Sequence, residues 1–262
     1  MSERELEGKL ALVTGASKGI GRAIAARLAA AGCQVALASR SREALEQAAN
    51  EILSATGSRT ISIDVDLSTE AGCVDAVDRT MVQFGGVDIL VNCAGDAKAG
   101  PFPGQPDSEW TSGFALKFFA AVRLSRSLWP TLTVRKGTVI NIGGAAAYTP
   151  GASFMVGGAV NAALAHFTKA LSKQGLIDDV NVNIIHPGPT MTDRMEQLIM
   201  QEAAAESTTP DLIRQRNLSR AGIRRLGEPD DIAEAVAFLC SPRARHIQGV
   251  GIAIDGGATP GL

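Results

Sequence analysis

One tyrosine, Tyr148, occurs in 262 residues, and aromatic side chains make up only 4% of the chain. Chemistry that needs a phenol therefore has a single candidate. Cysteine is also scarce. Cys33, Cys73, Cys93 and Cys240 are far apart and form no C-x-x-C pair, which argues against a disulfide framework or a zinc site, so no metal is expected. Nor is there an excess of charge of either sign. Lys plus Arg number 25 against 27 Asp plus Glu, a net charge of -2 that gives no electrostatic reason to expect nucleic acid or an anionic membrane as partner. No run reaches the ~18 apolar residues of a membrane span. The opening "MSERELEGKLALVTG" is charged where a signal peptide needs an apolar core. These absences lead us to expect a soluble, unprocessed, cytoplasmic protein acting on a small molecule.

With 45% hydrophobic residues, the chain can build one large core, and residues 1–262 read as a single domain. Short β-rich runs alternate with helical stretches: "KLALVTG", "QVALAS", "TISIDVD", "VDILVNCAG", "GTVINIG", "VNVNIIHPG" and "GVGIAIDGG" are the seven expected strands. Parallel strands need long crossovers and bury both faces. The expected fold is thus a doubly wound, Rossmann-type α/β domain, a seven-stranded parallel sheet with helices on both sides. Residues from about 190 to 227 have helical composition without a strand and read as a substrate lid inserted after a late strand.

"TGASKGIG" places Gly15, Gly19 and Gly21 between the first strand and the first helix. Glycines there allow a tight turn and a close backbone approach, while the helix N-terminus offers free N–H groups to a pyrophosphate. With "VDILVNCAG", "HPGPTMT" and the C-terminal "RLGEPDDIAEAVAFLCSP" leading to "GVGIAIDGG", the chain resembles the short-chain dehydrogenase/reductase family over essentially its whole length. The resemblance implies a dinucleotide held by Gly15, Ser17, Lys18, Gly19, Ile20 and Gly21. Asp66 and Leu67 would meet the adenine, with Asn92, Ala94 and Gly95 on the adenosine side and Pro187, Gly188, Thr190 and Thr192 in the later segment. Ser39 stands where an NAD-preferring relative would carry an acid, and Arg40 follows it. With Lys18 these would attract a 2′-phosphate, so NADP(H) is expected over NAD(H).

Members of that family reduce carbonyls with an Asn-Ser-Tyr-Lys tetrad, and this chain departs from it at all four positions. Aligned on the flanking motifs, those positions fall on Lys117, Gly144, Gly157 and Asn161. Tyr148 lies nine residues before the tyrosine position, with no lysine at i+4. Two glycines in place of hydroxyl-bearing side chains are expected to enlarge the pocket. Lysine and asparagine, however, look exchanged between helices. Lys117 is expected to reach the space of the family lysine, with Asn161 as its partner. Asp96 and His186 are the other candidate acid or base groups. His166, Lys169 and Lys173 lie too far along the helix and suit surface or interface roles.

The expected function is an NADP(H)-dependent oxidoreductase with a non-standard active site. Two alternatives stand beside it: a catalytically silent NADP-binding sensor or structural subunit, and a non-redox lyase or isomerase on the same fold. The helix containing "NAALAHFTKALS" has apolar positions on more than one face, and the family uses it in subunit contacts, so a homotetramer is expected.

Overall fold

The computed structural model describes residues 4–260. Strands β1 (Leu10–Thr14), β2 (Gln34–Ser39), β3 (Thr60–Asp64), β4 (Ile89–Asn92), β5 (Thr138–Ile142), β6 (Asn181–Pro187) and β7 (Gly251–Ile254) form one sheet in the order β3-β2-β1-β4-β5-β6-β7. All six pairings are parallel. Alternate side chains of a strand point to opposite faces, and both faces are covered here. In β1, Ala11 and Val13 pack on one side while Leu12 packs on the other.

On one face lie α1 (Gly19–Ala30), α2 (Arg42–Thr56) and α9 (Pro229–Cys240), whose Ile24, Leu28, Leu45, Ile52, Ile232 and Val236 join one core cluster. The opposite face holds α3 (Glu70–Phe84), α5 (Ala120–Arg135) and α6 (Met155–Asp178). Cys73, Val77, Leu124, Leu128 and Leu132 fill the core there, and Leu164 of α6 packs with Ile184 of β6. Strand order reverses beside β1, where β2 lies on one side and β4 on the other. In open parallel sheets, ligands bind at the C-terminal strand ends around such a switch point.

Two departures from regular geometry position the site. Helix α4 (Asp107–Gly113) runs into α5 through a π-helical stretch, Phe114–Phe119, which contains Lys117. Such turns concentrate at functional sites because the extra residue re-aims side chains. The segment between Thr190 and Gly227, which are joined by an isolated parallel bridge, forms α7 (Asp193–Ala205) and α8 (Pro210–Ala221). Ile199, Ala203, Ile213, Ile223 and Leu226 give this segment a small core of its own.

Candidate active site

Between β1 and α1 the backbone enters the left-handed region at Gly15 (φ 65°) and Gly19 (φ 55°), which glycine adopts without a Cβ penalty. A Cβ on Gly21 would lie 2.3 Å from the Gly15 carbonyl oxygen, so only glycine lets the helix start this close to the turn. Helix α1 has no side-chain cap and no acid in its first turn. By contrast α2, α3, α7 and α8 are capped by Ser41, Thr69, Thr192 and Thr209, each with an acid following. The orphan N–H groups of α1 and its positive dipole end are therefore left for an anion.

Thr14 pins the neighbouring turn. Its hydroxyl accepts from the backbone N–H groups of Cys93 and Ala94 at 2.9 and 3.0 Å, and donates to the Val91 carbonyl at 3.3 Å. Asn92 and Asn141 are register partners on β4 and β5, and the Asn92 amide donates inward to Asn141 Oδ1 at 2.8 Å. The Asn92 side chain thus ties strands together, Ala94 packs half-buried against the core, and Gly95 is exposed. At the end of β2, Ser39 Oγ is buried without a partner, while Arg40 and Lys18 are exposed. Ser68 holds the Asp66 carboxyl below the usual range with two hydrogen bonds, and the Arg40 charge adds to this. Leu67 is buried in the core.

Beyond β5, Lys117 reaches in from the π-helical turn. Its stem crosses Gly95, where a Cβ would lie 2.9 Å from Lys117 Cδ, and its Nζ donates to the Gly143 carbonyl at 2.9 Å. Although the residue is only partly buried, desolvation of the ammonium brings its pKa down to about 8. Asn161 is 4% exposed and packs against Gly144, where a Cβ would lie 2.8 Å from its Nδ2. No hydrogen bond joins Lys117 to Asn161 among the described residues, and Asn161 Oδ1 is buried without a partner.

Among the described residues, the space expected to open at the two glycines is filled by neighbouring side chains. Phe154, which precedes α6, lays its ring where a side chain on Gly157 would begin, 2.1 Å from the Cβ position. Asn161 takes the space beside Gly144 in the same way. His186 is fully buried and its Nδ1 lies 3.1 Å from the Gly144 carbonyl. A carbonyl only accepts, so Nδ1 carries the hydrogen and Nε2 accepts from Tyr148 Oη at 3.3 Å. Burial lowers the His186 pKa, which suits a neutral, packed imidazole rather than an acid open to a ligand. Asp96 is exposed and paired with Arg194 of α7, which also donates to the Ala97 carbonyl at 3.1 Å. Thr192, the α7 cap, has its methyl 3.3 Å from a Cβ position on Gly19, so the helical insertion begins over the glycine turn.

Known proteins are similar to the chain along nearly its whole length. A family model described as enoyl-(acyl carrier protein) reductase matches residues 15–259. The chain is 33% identical to the 2,3-dihydro-2,3-dihydroxybenzoate dehydrogenase of Bacillus subtilis (strain 168), with full coverage of both chains. The chain is a short-chain dehydrogenase/reductase. Among solved members, L-sorbose reductase from Gluconobacter frateurii, complexed with NADPH and L-sorbose, superposes with a TM-score of 0.96 at 31% identity, covering 99% of this chain and all of the other. A short-chain dehydrogenase from Burkholderia cenocepacia J2315, in complex with NADP, gives 0.87 at 35% identity, covering 98% and 100%.

In this short-chain dehydrogenase/reductase, just past the end of β5, Lys117 is bonded to the Gly143 carbonyl and Asn161 lies against Gly144, while Gly157 lies against Phe154. The structure leaves Asp96 at the rim and packs His186 beneath the Gly143–Gly144 backbone. Phe154 and Arg194 escaped sequence reading. An aromatic residue three positions before a helical glycine was the available signal for Phe154, since i and i+3 share a face. Arg194 is 98 residues from Asp96, and no local pattern announces that pairing.

Proposed function

We propose that this short-chain dehydrogenase/reductase is an NADP(H)-dependent oxidoreductase working through a non-standard active site, in which Lys117 supplies the cation and proton that relatives draw from a tyrosine–lysine pair. The observation carrying this reading is the Lys117 ammonium drawn inside the site and hydrogen-bonded to Gly143. The uncapped start of α1, the glycine turn and the unpartnered Ser39 hydroxyl fit a dinucleotide, with Ser39, Arg40 and Lys18 around a 2′-phosphate. NADPH- and NADP-bound relatives support the same cofactor. When bound, the cofactor supplies or takes up a hydride. Gly15 to Gly21 would hold its phosphates, Ala94, Gly95, Pro187, Gly188, Thr190 and Thr192 would border it, and α7 and α8 would lie over the substrate. Lys117 holds its proton at Nζ and gives it to oxygen as negative charge develops there.

Phe154 over Gly157 supports a second reading, a catalytically silent NADP-binding sensor or structural subunit, because a ring has no proton to give. Incubating the protein with NADPH and a panel of carbonyl, quinone and imine compounds separates the two. Loss of dihydronicotinamide absorbance dependent on one of them supports the enzyme. Tight NADPH binding without turnover across the panel supports the silent protein. A lyase or isomerase would form product with no change in that absorbance, and the engaged states of Asp96 and His186 weigh against it. The same reading makes the protein a cytoplasmic homotetramer.

A further inference from the structure

One imidazole links both ends of the Ala145–Ala147 turn to β6. His186 Nδ1 donates to the Gly144 carbonyl at 3.1 Å, just before the turn, and its Nε2 accepts from Tyr148 Oη at 3.3 Å, just after it. The ring comes this close to the backbone because residue 143 has no side chain, since a Cβ there would lie 2.8 Å from Nδ1. Gly251 of β7 makes the same room for the phenol, with a Cβ position 2.7 Å from Tyr148 Oη. The two rings meet edge to face with their centroids 4.7 Å apart. Next to this clamp stands the acceptor used by Lys117. The Gly143 N–H donates to the Ile185 carbonyl at 2.7 Å, and the Gly144 carbonyl accepts from the Ala147 N–H at 3.0 Å as well as from His186. Between these anchors, the Gly143 carbonyl accepts from Lys117 Nζ at 2.9 Å. A peptide flanked by glycines on both sides turns easily unless its neighbours hold it. The Lys117 stem, by contrast, lies against the Gly95 backbone. A shift of the turn therefore moves the acceptor rather than the ammonium.

We propose that His186 is a positioning residue for Lys117: by clamping Gly144 and Tyr148 to β6, it keeps the Gly143 carbonyl aimed at the Lys117 ammonium. This rests on the reading of Lys117 as the proton donor. His186 is fully buried and acts through the backbone. Among the described residues, the titratable groups facing Lys117 are Cys93, after β4, and His186 itself, on β6. Burial pushes the Cys93 thiol up to about 12 and the imidazole below its usual value. Both are therefore neutral around pH 8, where the Lys117 charge changes alone.

Trace acetylation with acetic anhydride over a pH series, read on the Lys117 peptide by mass spectrometry, gives the titration midpoint of this amine without turnover. The unaltered protein should titrate near pH 8. In His186→Leu the midpoint should fall by about one pH unit, because a hydrogen bond to the charged form raises a pKa and its loss lowers it. His186→Asn keeps an N–H at the place of Nδ1 and should hold the midpoint within ~0.3 unit of the parent. Leucine is closer to histidine in volume than asparagine is, so a packing role alone would rank the two variants the other way. An unchanged or raised midpoint in His186→Leu, or a fall in His186→Asn as large as in His186→Leu, would overturn the assignment. If His186→Leu does not fold, Tyr148→Phe alters an exposed residue and removes one end of the clamp. It should give a smaller fall in the same direction, and no fall there overturns the assignment too. The pH limb of kcat/KM for NADPH oxidation should move with the acetylation midpoint. A midpoint that falls while that limb stays, or while no compound of the panel is reduced, removes the proton-donor reading and leaves the positioning role. A limb near pH 8 that Lys117→Met abolishes, beside a midpoint that His186→Leu does not move, does the reverse.

Discussion

Replacing Arg40 with Glu places a carboxylate at the end of β2, where a 2′-phosphate would sit beside Ser39 and Lys18. The unaltered protein should bind NADPH about tenfold more tightly than NADH, roughly the ~1.4 kcal/mol that one charge-assisted contact supplies. The Arg40→Glu variant should shrink or invert that ratio in calorimetry, and equal affinities in the unaltered protein would remove the claim. At Gly157 the expectation concerns stability. Alanine is intrinsically the better helix former by ~1 kcal/mol. Its Cβ, however, would fall 2.1 Å from the Phe154 ring. Displacing that ring should make Gly157→Ala destabilising by ~1–3 kcal/mol. In a Phe154→Leu background the same substitution should become neutral or favourable, and a denaturation double-mutant cycle measures the coupling. Additive effects would show that the ring does not hold this space.

Helix α7 begins over the glycine turn and is clasped to the loop after β4 by Arg194 on Asp96 and Ala97. Both partners are about half exposed, and such a pair contributes no more than ~1 kcal/mol. Arg194→Ala should therefore leave the melting temperature nearly unchanged while speeding amide exchange through Asp193–Ala205. Unchanged exchange in that helix would show that the pair does not restrain it. The elements themselves were legible in the chain. Apolar runs marked all seven strands, and the segment read as an insertion from about 190 to 227 is bounded by the Thr190–Gly227 bridge. Periodicity and glycine placement are local signals, so they survive in sequence. The π-helical turn at Phe114–Phe119 is not local in that sense, since the stretch and α4 before it pack against α6, more than thirty residues on. For the same reason glycine at positions 144 and 157 suggested empty space. A missing side chain is visible in sequence, while the neighbour that fills its place, Asn161 or Phe154, is settled only by packing.

At the scale of the whole molecule, the described residues contain no helix long and apolar enough to cross a membrane and no group of His, Cys, Asp and Glu able to hold a metal. Leu176 and Ile177, near the C-terminal end of α6, are 66% and 77% exposed, and covering them by a second copy is the simplest way to bury that apolar surface. Light scattering at micromolar concentration should give a homotetramer, and a mass near 27.2 kDa would contradict it.

The catalytic account turns on Lys117. Burial lowers its pKa from 10.5 to about 8, so the ammonium predominates below that pH and is lost above it. A reductase that draws its proton from Lys117 must therefore lose kcat/KM, about tenfold per pH unit, as pH rises through about 8. The deciding measurement is the pH dependence of NADPH oxidation by the unaltered protein and by Lys117→Met, with whichever substrate of the panel is turned over. The account predicts a falling limb near pH 8 in the unaltered protein. In Lys117→Met it predicts a rate lower by ~10²-fold or more with that limb gone. A Lys117→Met variant with the parent's rate and the parent's pH profile would contradict it.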